Sequence, residues 1–395
     1  MPAPVGRRHG AAFWAVAFAF LVVMAFATLP SPLYGLYRTR DNLSTLTVTV
    51  VYAVFALGAI AALLCEHVVV ARIGRRGAMR GGVATVMVAA AVIAVWKALP
   101  GLLVGRVLTG VSVGLAAGTA TTYLIELRLR DDPNASVVRA RTIGTSVNIG
   151  ALGVGPLVAG VLAEWTSLPL TLPYVLFIGL GALALVGLAT APETGTPNPD
   201  AKASLAVAGI PGTAAVATIA AFSATGLFAG LSGIILAKTF DRPSHALAGA
   251  TLFLVFSSGV VSQLATGKLR ASRVLALGMT SMLAGLTMLV TAVRLSTPSL
   301  VLLLAGGALI GAGAGLVFKG TTGIVLEAAA PEERVAMTST LIITALFGLS
   351  IPVVGAGIAL SEGVSAASTV LGFGTAVALG IALSGWALLR RRARQ

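Results

Sequence analysis

The chain has 395 residues, of which 57% are hydrophobic and 10% charged, and its mean hydropathy is +0.98. These values exclude a soluble globular protein and require one that is integral to a membrane. The net charge of +14 would suggest nucleic acid in a soluble chain, but among spanning helices it is read through its distribution, and no nucleic-acid partner is expected.

A spanning helix needs about 20 apolar residues. Twelve stretches qualify, near 12–36, 46–68, 79–98, 101–126, 142–164, 171–191, 212–236, 246–266, 274–293, 299–325, 337–360 and 366–389. The expected class is therefore an all-α membrane protein with twelve transmembrane helices. Arg7 and Arg8 give the first stretch the look of a secretory signal, but it is too long and runs into Pro30, Pro32 and Tyr34 without a cleavage site, so it is kept as a helix.

Alternate loops carry very different numbers of cations. On one side lie Arg7, Arg8, Arg72, Arg75, Arg76, Arg80, Arg128, Arg130, Arg139, Arg141, Lys202, Lys268, Arg270, Arg273, Arg334, Arg390, Arg391, Arg392 and Arg394. On the other lie only Arg38, Arg40, Lys97, Lys238, Arg242 and Arg294. The excess places both termini and the central loop in the cytoplasm. Arg106 and Lys319 remain, and they alone are expected at membrane depth.

Near the far end of the first helix, Pro30, Ser31, Pro32, Tyr34 and Tyr37 predict a break, with the tyrosines as interface anchors or as gate lining. Cys65 in the second helix is alone, which excludes an intramolecular disulfide and points to packing. In the fourth helix Arg106, Gly110, Gly114, Gly118, Thr122 and Glu126 recur every four residues, so the glycines form a groove along a helix that is apolar on nearly every side. An arginine at the bilayer centre costs about 2.5–3.5 kcal/mol on insertion scales, so Arg106 either has a function or snorkels to water. In the fifth helix Gly155, Pro156 and Gly160 predict a bend, and Asn148 either lines a cavity or bonds a neighbouring helix. Gln263 in the eighth helix carries the same two readings.

The tenth helix repeats the stripe of the fourth, with Gly307, Gly311, Gly315, Lys319, Gly323 and Glu327. Pro100 and Pro298, Gly114 and Gly311, Gly118 and Gly315, and Pro133 and Pro331 are each separated by 197 or 198 positions, and Pro156 and Pro352 by 196. The expected organisation is a six-helix bundle over 1–191, a cytoplasmic linker over 192–205 and a second six-helix bundle over 206–395. Lys319, set between small residues, faces protein or an aqueous cavity and contacts an anionic group or a carboxylate such as Glu66 or Glu126. Snorkelling is its alternative. Pro352, with Gly348, Gly355 and Gly357, repeats the bend in the eleventh helix.

Twelve helices in two halves with a basic turn after the second resemble the major facilitator superfamily, in a form like its drug:proton antiporters, over essentially the whole chain. Arg72-Ile73-Gly74-Arg75-Arg76 resembles the end of that family's loop motif, although His67 and Ala71 replace its glycine and aspartate. In the family the aspartate caps a neighbouring helix and joins a charge network; here Glu66 is the candidate substitute. Arg106 and Gly110 resemble the family's arginine motif, which implies proton transfer. Gly155, Pro156 and Gly160 partly match its antiporter motif, which implies export, while the physics of the residues implies a hinge. Pro192-Glu193-Thr194 resembles a sequence found after the sixth helix in several such families.

The resemblance implies a secondary transporter working by alternating access, the halves rocking around a central site. The expected activity is proton-coupled efflux of a small amphipathic compound, neutral or anionic, because the membrane-depth charges are both positive. The alternative is a symporter or facilitator taking up a small carboxylate-bearing metabolite. Expected substrate contacts are Arg106, Lys319, Asn148, Tyr34 and Gln263. Proton coupling is assigned to Arg106, Glu66 and Glu126, and conformational roles to Arg72, Gly74, Arg75, Arg76, Gly155, Pro156, Gly160 and Pro352. No nucleophile with a base, no Cys/His cluster of metal spacing and no phosphate loop is present, so neither an enzyme nor a cofactor is expected. The expected setting is the cytoplasmic membrane, as a monomer whose partners are its substrate, protons and lipid.

Overall fold

The computed structural model describes residues 5–195, 207–330 and 332–393. The linker beyond residue 195, Lys202, Pro331 and Arg394 lie outside the described residues, as do the side chains of Arg7, Arg8, Arg391 and Arg392. Backbone groups inside a bilayer must be satisfied within the chain, and the described residues accordingly form helices and no strands.

The helices are α1 (Val5–Thr28), α2 (Tyr34–Arg40), α3 (Thr45–Ala53), α4 (Phe55–Val95), α5 (Leu99–Asp131), α6 (Val137–Trp165), α7 (Leu172–Thr190), α8 (Gly212–Thr239), α9 (His245–Ala265), α10 (Ala271–Arg294), α11 (Leu300–Ala328), α12 (Arg334–Ser361) and α13 (Ala366–Ala393). A short 3-10 turn, Ser31–Leu33, separates α1 from α2 where the prolines predict a break. Pro156 and Pro352 lie inside α6 and α12.

Eleven segments among the described residues are long and apolar enough to cross a membrane, against twelve stretches read from the sequence. The difference is one join. Thr45–Val95 counts as a single segment of 51 residues, which at 1.5 Å per residue would reach about 75 Å, more than twice the hydrocarbon thickness. It is broken at Gly74, whose backbone (φ 76°, ψ 172°) is open essentially to glycine alone.

The chain forms two compact units. One holds the described residues within Met1–Pro30, Val54–Val158 and Trp165–Leu205, and the other those within Ser31–Ala53, Ala159–Glu164 and Ala206–Gln395. Three helical runs therefore divide between units: the first spanning run near Pro30, the second near Ala53 and α6 after Val158.

In the first unit the glycine groove of α5 is filled by α4. A methyl group on Gly110 would overlap the carbonyl of Phe55, one on Gly114 would meet Ala59 O and the Ala62 methyl, and one on Gly118 would meet the Glu66 carboxyl. The second unit repeats the device, with Gly311 of α11 against Val255 O and Gly315 against Gly259 O and the Gln263 amide of α9. Small residues give these pairs backbone-to-backbone packing, the main attraction available between helices in lipid. Tyr34 and Tyr37 are 3% and 0% exposed, so they are packed inside the second unit and do not serve as interface anchors.

Candidate functional site

The densest polar cluster of the first unit is built on the turn at Gly74. The helical run that restarts at Arg75 begins with amides that have no intrahelical acceptor. The Glu193 carboxylate, beyond the end of α7, supplies the acceptors: Arg75 N donates to Oε1 at 2.9 Å and Arg76 N to Oε2 at 3.0 Å. A negative group at this end also complements the helix dipole. Gly74 is needed twice, for its positive φ and because a Cβ there would run into that carboxylate.

The Arg75 guanidinium grips Glu126 through two parallel bonds, Nε to Oε2 at 2.6 Å and Nη2 to Oε1 at 2.8 Å. Thr194 Oγ1 donates to Glu126 Oε2 at 2.6 Å. Arg130 donates to the carbonyls of Glu193 and Thr194 at 2.7 and 2.9 Å, and Tyr123 OH to that of Pro192 at 2.6 Å. Arg76 reaches the carbonyl of Ala191 at 3.1 Å. The sequence-predicted Gly74, Arg75, Arg76 and Glu126 thus come together, whereas Arg72 is exposed.

Glu66 does not replace the missing aspartate of the turn. Its Oε1 accepts from Thr119 Oγ1 at 2.7 Å, inside the α4–α5 packing, and Glu193 does the capping. Glu193 and Thr194 were legible as a motif but not as members of this site. The signal was Ala71: without an acid there, the helix start needs a carboxylate from elsewhere.

Arg106 is the largest fully buried side chain among the described residues, at 1% exposure, and so does not snorkel. Its Nη1 donates to Ala27 O at 2.6 Å, and its Cζ lies 4.8 Å from the Phe55 ring centroid. Ala27 is in the last turn of α1, where carbonyls lack helical partners and a cation is favoured. Asn148 is half-buried on α6.

Pro156 has no N–H and so leaves the carbonyl of Leu152 without its helical donor. Thr28 Oγ1 of α1 donates to that oxygen at 2.6 Å, and a Cβ on Gly155 would overlap Ala25 O. The Pro156 turn of α6 is therefore seated on the end of α1, and Thr28 was not foreseen. The two glycines of the motif separate, since Gly155 belongs to the first unit and Gly160 to the second.

In the second unit α9 is held at both ends. Lys319 Nζ of α11 donates to Gln263 O at 2.7 Å and to Thr266 Oγ1 at 3.2 Å, in and just past the last turn of α9. Gln263 Nε2 returns a bond to Gly315 O at 3.0 Å. Two expected contact residues are thus brought together, and the ammonium pairs with helix-end oxygens and not with a carboxylate. At the opposite end Glu164 Oε2 accepts from His245 N at 2.7 Å, Ala246 N at 3.2 Å and Ser244 Oγ at 3.2 Å. His245 Nδ1 lies 3.2 Å from Pro32 O, and Gly160 packs on His245 O. Pro352 is half-buried in α12, which packs on α8 through Gly348 against Ile219 O and Gly226 against Leu349 O.

A family model described as "Sugar (and other) transporter" matches residues 25–130. No curated protein matches the chain in sequence. Among solved structures, the nucleoside transporter NupG superposes with a TM-score of 0.72 at 12% identity, covering 96% of this chain and 98% of that one; a mutant form gives 0.75 at 10%, covering 96% and 99%. The human organic anion transporter MFSD10 (TETRAN) gives 0.67 at 18% identity, covering 96% and 100%. With an all-helical architecture of membrane-crossing segments, these likenesses identify the fold of the chain as that of the major facilitator transporters.

Proposed function

We propose that the chain is a secondary transporter of twelve crossings, with both termini cytoplasmic, that works by alternating access and exports a small amphipathic neutral or anionic compound in exchange for protons. The fold supports transport, and the positive charge of both Arg106 and Lys319 supports a substrate that is not a cation. One observation carries the proton coupling. Glu66 makes no ion pair among the described residues, and the hydroxyl that donates to it, Thr119 Oγ1, is neutral.

A carboxylate held in an apolar span without an ion pair is costly, and taking up a proton removes that cost. The hydroxyl of Thr119 donates to the carboxylate and can equally accept from the acid. Glu126 is bonded on both oxygens to Arg75 and Thr194, which suits a fixed charge that holds the turn. The internal repeat supports the same division. Gln263 lies 197 positions after Glu66 and faces Gly315 as Glu66 faces Gly118, so one unit carries an acid where the other carries its amide. In this reading Glu66 carries the proton, Thr119 positions it, and the Arg75–Glu126–Glu193 cluster holds one conformation.

The same positive pair also suits uptake of a carboxylate-bearing metabolite. Proteoliposome transport measured in both directions under an imposed pH gradient separates the readings. Accumulation only when the opposite lumen is acidic supports antiport, and accumulation with the proton flux supports symport. Glu66→Gln is expected to abolish gradient-driven accumulation while substrate exchange persists. Transport indifferent to the gradient in the unsubstituted protein would overturn both coupled schemes.

A further inference from the structure

The first unit contains a polar cleft whose lining includes none of the residues assigned above to substrate, proton or turn. It lies where α1 begins, α5 ends and α6 begins, has a cavity volume of about 90 Å³ and is open on one side. Arg128 and Asp131 of α5 and Arg139 of α6 supply its charge; Phe13, Leu127 and Ile143 supply an apolar wall. Trp14 stands at the rim, 59% exposed, edge-on to Phe13 at 5.4 Å between ring centroids.

We propose that this cleft binds the headgroup of an anionic phospholipid. Arg128 spends little of its hydrogen-bonding capacity on the protein, its ion pair with Asp131 being long at 3.4 Å. Arg139 is exposed and makes no ion pair among the described residues. Two guanidinium forks on neighbouring helices match the oxygens of a phosphate. Cations alone would serve a soluble phosphate as well. The apolar wall and the exposed tryptophan argue for a lipid, because indole rings favour the headgroup level of a bilayer and a lipid carries a glycerol and acyl region to place against Phe13 and Ile143.

Basic pockets between spanning helices are where anionic headgroups bind, and the proposed orientation puts this cleft at the cytoplasmic leaflet. Asp131 sets the strength of the site. It competes with the phosphate for Arg128, so its removal strengthens binding, while removal of either arginine weakens it. General damage to the fold does not produce that opposition of sign.

The test is thermal unfolding of the full chain in detergent, titrated with phosphatidylglycerol, phosphatidylcholine or glycerol phosphate. A ligand that binds only the folded state raises the midpoint as its concentration passes the dissociation constant. Phosphatidylglycerol is expected to stabilise, with phosphatidylcholine and glycerol phosphate much weaker. Arg139→Ala is expected to raise the half-saturating phosphatidylglycerol concentration on the order of tenfold, the weight of one charge-assisted contact. Asp131→Asn is expected to lower it, and this variant keeps the proposal testable if an arginine variant does not fold. Equal stabilisation by phosphatidylglycerol and phosphatidylcholine, stabilisation by glycerol phosphate as strong as by the lipid, or weaker lipid binding in Asp131→Asn would each overturn the proposal.

Discussion

Gly74→Ala tests the turn most directly, because Gly74 meets two demands that can be separated. Its φ of 76° with ψ of 172° is a region where a residue with a Cβ is held at a cost of about 1–3 kcal/mol. The added methyl also collides with the Glu193 carboxylate and pushes it off the amides of Arg75 and Arg76, forfeiting bonds of about 1 kcal/mol each. The sum is roughly 3–5 kcal/mol. Glu193→Ala removes the carboxylate but leaves the glycine, and loss of such a cap costs about 0.5–2 kcal/mol. In the double variant the methyl has no carboxylate to displace, so its penalty falls to the backbone term. The double loss should therefore be smaller than the sum of the two single losses by about 1–2 kcal/mol, a coupling typical of residues in contact. The assay is the thermal midpoint of the four proteins in detergent, read by intrinsic fluorescence and by recovery of the monodisperse peak after heating. Expected is a large drop for Gly74→Ala, a smaller one for Glu193→Ala and little further drop for the pair. Strictly additive losses, or an unchanged midpoint for Gly74→Ala, would refute the shared contact.

Glu126→Gln should lower the thermal midpoint through the loss of one of its two bonds to Arg75, about 1–2 kcal/mol, yet keep gradient-driven transport, whereas Glu66→Gln should do the reverse. If Glu126→Gln also uncouples, the division of roles between the two acids is wrong. Thr28→Val leaves the Leu152 carbonyl without its donor and should cost about 1–3 kcal/mol. Thr28→Ser should restore the midpoint, and failure of that rescue removes the hydroxyl from the account of the α6 segment at Pro156. Lys319→Met frees the end of α9 and should cost about 1–2 kcal/mol. It should also raise the KM of an anionic substrate well above that of a neutral analogue, and equal effects on both would leave the lysine a purely structural role.

Much of the scaffold is a local property and was readable for that reason. A run of about 20 apolar residues specifies a helix wherever it is placed in lipid, since no other backbone conformation satisfies its polar groups there. The stripe of Gly110, Gly114 and Gly118 announced a close approach by its spacing alone, and α4 fills it. The breaks at Pro30 and Pro32 follow equally from the chemistry of one residue type.

The partner of each polar side chain was another matter. Glu193 lies 118 positions from Arg75, and Arg106 lies 79 from Ala27; at such separations the sequence contains many acids and carbonyls of equal standing. Tyr34 and Tyr37 read first as interface anchors and second as gate lining, because an aromatic near a helix end suits either until its neighbours are known, and packing buried both. Lys319 had Glu66 and Glu126 as plausible partners and took the helix-end oxygens at Gln263 and Thr266 instead. By itself the sequence determined the helices, their glycine grooves and the two costly charges, because each depends on residues within a few turns of one another, and the internal repeat, because it is a comparison of the chain with itself. The tertiary structure alone decided which oxygen each charge meets and that Glu66 takes its hydrogen bond from the neutral Thr119 hydroxyl, because those are contests among distant groups that only packing resolves.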